Sequence, residues 1–140
     1  MNRFTVLALG LVLALVSAPG LAEDLTGANQ LLCSAGVVVV CADDGLCDRL
    51  APADLRIPQF VEVDLVKKRL STTKASGENR TTDIASLQRN EGRIILQGLQ
   101  KGRAFSFVID EESGAITAAV AADGLTVTVF GSCTPTPPPR

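Results

Sequence analysis

From Glu91 to Cys133, short apolar segments alternate with turns that contain glycine. Turn signals about every ten residues, with strand-forming residues between them, are typical of an antiparallel meander. The four predicted strands are Arg93–Leu99, Arg103–Asp110, Ala115–Ala121 and Leu125–Gly131.

Within these segments apolar residues recur at every second position, as they do in strands that bury one face. In the last segment, Leu125, Val127 and Val129 share one face. The residues of the second and third segments that we expect to face the core are Phe105, Phe107, Ile109, Ile116, Ala118 and Val120.

Two further strands are predicted before the meander. Leu31–Cys41 holds four consecutive valines, which favour a strand that is buried on both faces or covered by a loop on one. Alternatively, Val37–Val40 forms an exposed apolar patch for a partner. Gln59–Leu65 alternates apolar and polar residues, which predicts a half-buried strand that continues toward Leu70.

The remaining segments are more polar or irregular. Ala42–Arg56 is predicted to be a loop with a short helical turn at Pro52, and Ser71–Thr82 to be a mobile loop or hairpin tip. Asp83–Arg89 has an ambiguous period, and Thr82–Gln88 is also a candidate helix. Since proline lacks a backbone N–H, Thr134–Arg140 is predicted to be a disordered tail.

Together these elements predict an all-β fold, a small antiparallel meander that forms a barrel or sandwich of about 6–8 strands. The length after Ala22 suits one domain, which we place at residues 23–133.

The first 22 residues are predicted to be a secretory signal peptide. Arg3 precedes an apolar run from Phe4 to Val16, and Gly20-Leu21-Ala22 supplies a small-x-small cleavage site. An uncleaved anchor is the alternative, but the run is shorter than the roughly 20 residues that a spanning helix needs. We therefore expect a periplasmic or secreted protein without stable membrane insertion after cleavage.

The four cysteines, Cys33, Cys41, Cys47 and Cys133, are an even number, which favours disulfides in an exported chain. Three pairings are possible, and the sequence alone does not choose among them. We favour Cys41–Cys47 as a local loop and Cys33–Cys133 as a link between the first and last strands. A zinc site is the competing interpretation, but the spacing differs from the paired C-x2-C of zinc ribbons.

Charge and composition restrict the classes of partner and of catalysis that this chain can support. The net charge is −2, which gives no electrostatic reason to expect nucleic acid. The chain lacks histidine, which removes Ser-His-Asp and Cys-His catalysis in their usual forms.

Asp43, Asp44 and Asp48 are predicted to be a hydrated turn, with a weak calcium site as the alternative. We expect neither a cofactor nor a metal.

One group of carboxylates is a candidate for catalysis, and two parts of the chain are candidates for ligand binding. Asp110, Glu111 and Glu112 could form an acid–base pair with Asp123 across the sheet, although carboxylates in hairpin turns are usually hydrated. For binding, Arg93 and Arg103 could meet beside the Lys101-Gly102 turn and hold an anion. The loop Ser71–Arg80 is the other place where we expect binding groups. The binding candidates are Arg93, Lys101 and Arg103.

Four stretches carry a resemblance to a group of small exported proteobacterial proteins without an assigned function. They are QGLQKGRAFSFVID, VTVFGSCTP, CADDGLC and IPQFVEVD. The resemblance implies no activity. In size, export signal and disulfides the chain is also similar to periplasmic β-barrels that inhibit lysozyme. We expect a non-catalytic binding or interaction module whose partner is an envelope protein or a small ligand, with inhibition of a lytic enzyme as the alternative.

Overall fold

The computed structural model describes residues 24–137. The predicted signal peptide lies outside the described residues. The described part is all-β, as predicted, and contains these ten strands: β1 (Gln30–Ala42), β2 (Cys47–Leu50), β3 (Phe60–Asp64), β4 (Arg69–Thr72), β5 (Thr81–Asp83), β6 (Ser86–Asn90), β7 (Arg93–Gln100), β8 (Arg103–Asp110), β9 (Ala115–Ala122) and β10 (Leu125–Pro135).

The strands form one antiparallel sheet in the order β5-β4-β3-β1-β10-β9-β8-β7-β6, and β2 adds to β1. The two end strands of the sheet, β5 and β6, are consecutive in the chain and must therefore come near each other. The sheet accordingly curls into a half-barrel. The backbone N–H of Ala85, between β5 and β6, donates to the Gln97 carbonyl at 2.9 Å. The Gln100 amide also donates to the Thr82 hydroxyl at 2.5 Å.

Strand β1 pairs with three other strands. It pairs with β10 over its whole length, with β3 through its first half and with β2 through its second half. A bulge at Gly36 lets β1 follow the curvature. Gly131 allows the close approach of β10, since a Cβ there would lie 1.8 Å from the Ser34 carbonyl oxygen. Val38 is fully buried and Val37, Val39 and Val40 are half-buried, so the predicted strand is confirmed and the exposed patch is wrong.

The meander is confirmed as β7 to β10. Two-residue hairpins built on Glu91-Gly92 and Lys101-Gly102 join β6 to β7 and β7 to β8. In both turns the two residues have positive φ, 51° and 72° in the first and 50° and 78° in the second. Turns of this type match the twist of the flanking strands, which fixes their register.

Both favoured disulfides are present. Cys33 on β1 bonds to its register partner Cys133 on β10. Cys41 bonds to Cys47 across the β1–β2 pair. All cysteines among the described residues are therefore oxidised, consistent with an exported protein in an oxidising environment.

The sheet has more strands than predicted, because short strands occupy segments expected to be loop or helix. Cys47–Leu50 forms β2, and Thr82–Gln88 is shared between β5 and β6 rather than forming a helix. Strand β3 does not continue to Leu70. Asp64 Oδ1 accepts the N–H groups of Val66 and Lys67 at 3.0 and 2.7 Å, which turns the chain. The short helical turn predicted at Pro52 is confirmed as a 3-10 turn.

The prediction that the chain leaves the sheet at Thr134 is wrong. Strand β10 continues to Pro135, and the Thr136 N–H still donates to the Gln30 carbonyl at 2.9 Å. Since successive residues point their backbone groups to opposite sides, Pro135 directs its missing N–H away from β1. Strand β9 no longer pairs with β10 on that side, so the proline costs no ladder bond.

The hydrophobic core fills one end of the half-barrel, here called the closed end. The fully buried aliphatic residues of the core cluster at this end are Leu25, Leu31, Val63, Ile94, Leu96 and Ile109. Leu25 is fixed by its N–H, which donates to the Glu111 carbonyl at 2.7 Å. The Arg89 guanidinium donates to the carbonyls of Leu25 and Ala28 at 2.9 Å and pairs with the Glu111 carboxylate.

The opposite end, here called the open end, carries the β7–β8 and β9–β10 turns. There the segment 51–58 between β2 and β3 and the segment 73–80 between β4 and β5 lie across the curl. Among residues 24–137, no helix has the length and apolar character needed to cross a membrane.

Candidate ligand-binding cavity

A concave cavity of about 530 Å³ occupies the inside of the curl toward the open end. This volume falls within the roughly 300–1,000 Å³ typical of small-molecule sites. The apolar residues that line it are Cys33, Ala35, Leu55, Ile57, Pro58, Val61, Val63, Leu70, Phe105, Phe107, Ile116, Ala118, Val120, Leu125, Val127 and Val129.

Several inward side chains on the cavity wall are small. Strands β9 and β10 contribute Ala118, Val120, Val127 and Val129 to its wall. Of these, Val120, Val127 and Val129 remain half-buried although they face inward. The inner surface at the open end therefore exposes apolar area that no described residue covers.

Phe105 forms part of the wall because a glycine lies opposite to it. Gly98 on β7 is the register partner of Phe105 on β8, and a Cβ at Gly98 would lie 2.5 Å from the phenylalanine ring. The absence of a side chain at Gly98 therefore leaves room for the ring. The ring contacts Phe107 with 5.3 Å between ring centroids. The predicted inward orientation of both phenylalanines is confirmed.

Four cationic residues, Arg56, Arg80, Lys101 and Arg103, line the mouth of the cavity. All four are exposed, which places them at the rim rather than at the floor. They come from three separate parts of the chain: the segment before β3, the hairpin tip before β5, and the β7–β8 turn. The residues lining this cavity include neither aspartate nor glutamate.

The four cations differ in their contacts. Arg80 pairs with Glu78 and donates to the Arg56 carbonyl at 3.2 Å, so it ties the two segments of the mouth together. The ion pairs among residues 24–137 involve neither Arg56 nor Lys101 nor Arg103. Three cations at the mouth therefore have no carboxylate partner within the described chain.

Of the three predicted binding residues, Lys101 and Arg103 lie at the cavity and Arg93 does not. Arg103 opposes Gln100 at the open end, whereas Arg93 opposes Asp110 at the closed end. Seven strand positions separate the two ends of β7, which is about 24 Å of extended backbone. The prediction that Arg93 and Arg103 meet across the hairpin is therefore wrong.

Asp43 and Asp44, predicted to lie in a hydrated turn with a calcium site as the alternative, form the turn between β1 and β2. Asp44 Oδ1 accepts the Leu46 N–H at 2.9 Å, and the Asp43 N–H donates to the Gly124 carbonyl at 3.1 Å. Within residues 24–137, no three acidic, cysteine or histidine side chains gather as a metal site would require. Asp43, Asp44 and Asp48 therefore do not converge on an ion.

The carboxylates considered for acid–base chemistry lie at opposite ends of the sheet. Asp110 precedes the β8–β9 turn, where hydrogen bonds from the Ser113 N–H and hydroxyl lower its pKa. Glu111 pairs with Arg89 at the closed end. Asp123 is in the β9–β10 turn at the open end, because consecutive hairpins alternate ends. Asp110, Glu111 and Glu112 therefore do not form an acid–base pair with Asp123, the alternative that the sequence left open.

Arg56 is the mouth residue that the sequence did not single out. It follows the 3-10 turn Pro52–Leu55 and has a left-handed φ of 53°. No local motif marks it, because its proximity to Arg80 depends on the pairing of distant strands. Arg80, in contrast, ends the loop Ser71–Arg80 that was predicted to carry binding groups.

Comparison of the chain with protein-family models, with curated proteins and with solved structures finds no match in any of the three.

Proposed function

We propose that this protein is a non-catalytic binding module that takes a small apolar ligand into the cavity of the half-barrel. We further propose that it acts in the periplasm or as a secreted protein, because a signal-like N-terminus accompanies two disulfides. The observation that carries the proposal is the cavity itself, whose walls are apolar and whose mouth is open.

The energetic basis is the apolar surface that remains uncovered inside the curl. Burial of apolar surface contributes about 25 cal/mol per Å². A ligand that covers the inward sides of Val120, Val127 and Val129 would remove from water both its own apolar surface and theirs. Small-molecule sites of this kind are mostly apolar, with a few polar groups that fix orientation.

Binding of decanol, an uncharged linear ligand, tests the proposal. We expect saturable binding by isothermal titration calorimetry and a ligand-dependent rise in melting temperature. Val127→Phe fills the cavity from its wall and should abolish binding. Thr128→Phe is the matched control, because the neighbouring residue points to the other face of β10. Equal binding by the two variants, or no binding by the parent protein, would contradict the proposal.

Inhibition of a lytic enzyme such as lysozyme is the alternative function. It would use an external surface rather than the cavity, so Val127→Phe would retain it. A lysozyme assay with the same two variants therefore separates the two functions.

A further inference from the structure

We infer that the ligand is a linear amphiphile with a single negatively charged head, bound with its tail in the cavity and its head among Arg56, Lys101 and Arg103. The inference rests on the proposed function, and it adds the chemical class and orientation of the ligand.

The distribution of charge is the first argument. The chain as a whole carries a net charge of −2, with 13 basic and 15 acidic residues. Nevertheless, the charged residues that line the cavity are all cationic. In a slightly acidic protein, a mouth lined by cations alone creates a local positive potential, and such a potential attracts and orients an anion.

The availability of these cations is the second argument. Arg80 is neutralised by Glu78, but the ion pairs of the described chain leave Arg56, Lys101 and Arg103 without a carboxylate. A ligand carboxylate can accept hydrogen bonds from a guanidinium and an ammonium without displacing an internal partner. Such charge-assisted hydrogen bonds are stronger than neutral ones.

The position of Lys101 is the third argument. Lys101 occupies the first position of the β7–β8 turn with φ 50°, and Glu91 has the same conformation in the β6–β7 turn with φ 51°. What distinguishes Lys101 is that its turn lies at the mouth of the cavity. The lysine places an ammonium at the mouth of the cavity. The same hairpin holds Arg103, whose side chain also lines the mouth.

The arrangement of the two kinds of surface then sets the orientation. The apolar floor includes the buried residues Phe105, Ile116 and Ala118, whereas the cations are exposed at the rim. A ligand with its charge at one end can contact both the apolar floor and the cationic rim only when its tail points inward. A cationic head would be repelled at the rim, and a neutral head would leave the three cations unused.

The test compares three ligands with the same ten-carbon chain: decanoate, decanol and decylamine. All are titrated into the full mature protein at neutral pH and low salt by calorimetry. We expect decanoate to bind at least tenfold more tightly than decanol, and decylamine to bind most weakly. High salt should reduce the preference for decanoate, because the cations are exposed.

Two neutralising variants assign the head site. Lys101→Gln and Arg103→Gln should each weaken decanoate binding by about tenfold and leave decanol binding unchanged. Arg93→Gln is the control, because this arginine lies at the other end of the same strand pair. It should change neither affinity. Circular dichroism and melting temperature report whether each variant is folded.

The outcomes distinguish this inference from the proposed function. Equal affinity for decanoate and decanol, unchanged by Lys101→Gln and Arg103→Gln, would overturn the anionic head while the apolar cavity stands. Binding of none of the three ligands would overturn both. Tight binding of decanoate that survives Val127→Phe would place the site outside the cavity and would also overturn the inference.

Discussion

The two ends of the half-barrel are built from the same strands and close in different ways. At the closed end, Leu25 and the Arg89–Glu111 pair cover a core of fully buried leucine and isoleucine side chains. At the open end, the inward residues of β9 and β10 are alanine, valine and one leucine, Leu125, and the rim is cationic. The difference shows how one alternating pattern can give a packed core at one end and an open cavity at the other, through side-chain size together with the curl of the sheet.

The two disulfides give the largest expected difference between the ends. Cys33–Cys133 spans 100 residues and Cys41–Cys47 spans 6. In the chain-entropy model, these correspond to about 4.7 and about 2 kcal/mol of stability. We therefore expect Cys33→Ala/Cys133→Ala to lose about twice as much free energy of unfolding as Cys41→Ala/Cys47→Ala. Urea unfolding without reductant measures both, and equal losses would show that loop length does not determine their contributions.

The next comparison truncates one leucine at each end of the half-barrel, because the two side chains differ in burial. Leu25 is fully buried, whereas Leu125 lines the cavity and is 38% exposed. Leu25→Ala should cost about 2–5 kcal/mol of stability and leave decanoate affinity unchanged. Leu125→Ala should cost about 1 kcal/mol or less, since part of its side chain is already in water.

The two truncations should affect ligand binding in the opposite order, with the larger effect at Leu125. Leu125→Ala should weaken decanoate binding by roughly three- to tenfold, because it removes apolar contact from the cavity wall. Calorimetry measures this effect, and chemical denaturation measures stability on the same samples. A large loss of affinity in Leu25→Ala with normal stability would contradict the division between a structural end and a binding end.

Each end also has one arginine–glutamate pair. The side chains of Arg89 and Glu111 are 30% and 11% exposed, and Arg89 additionally binds two carbonyls. Those of Arg80 and Glu78 are 41% and 44% exposed. Glu111→Gln should therefore cost about 1–3 kcal/mol, and Glu78→Gln about 0–1 kcal/mol. The shift in urea midpoint measures both, and a larger cost for Glu78→Gln would reverse the assignment.

The sequence predicted the meander well and the edges of the sheet poorly. Strands β7 to β10 were recognisable because alternation and two-residue turns act locally, as at Lys101-Gly102. Strand β2 was missed because Cys47–Leu50 is short and carries no alternation of its own. It is a strand only because β1 offers an unpaired edge beyond β3. The extension of β10 to Pro135 likewise depends on where β9 ends.

The cavity could be predicted only in part, for the same reason. The inward face of β8 to β10 follows from period two, and Lys101 and Arg103 were recognisable as cations at a hairpin tip. Whether inward residues meet a packed core or an open space depends on how tightly the sheet curls. That curl follows from pairings over long sequence distances, which bring Arg56 and Arg80 to the same mouth. Arg93 lies far from the Lys101-Gly102 turn because the whole extended strand Arg93–Gln100 separates them.

The smallest expected effect concerns the two hairpin turns, one at each end. Glu91 and Lys101 occupy the same turn position with φ 51° and 50°. Asparagine tolerates this conformation better, so Glu91→Asn and Lys101→Asn should each stabilise the protein by about 0.5–1 kcal/mol. Thermal unfolding measures the gain. Only Lys101→Asn should weaken decanoate binding, because only the open-end turn lies at the cavity. If both variants gain stability and both keep full affinity, the lysine is not held in this conformation for the ligand head.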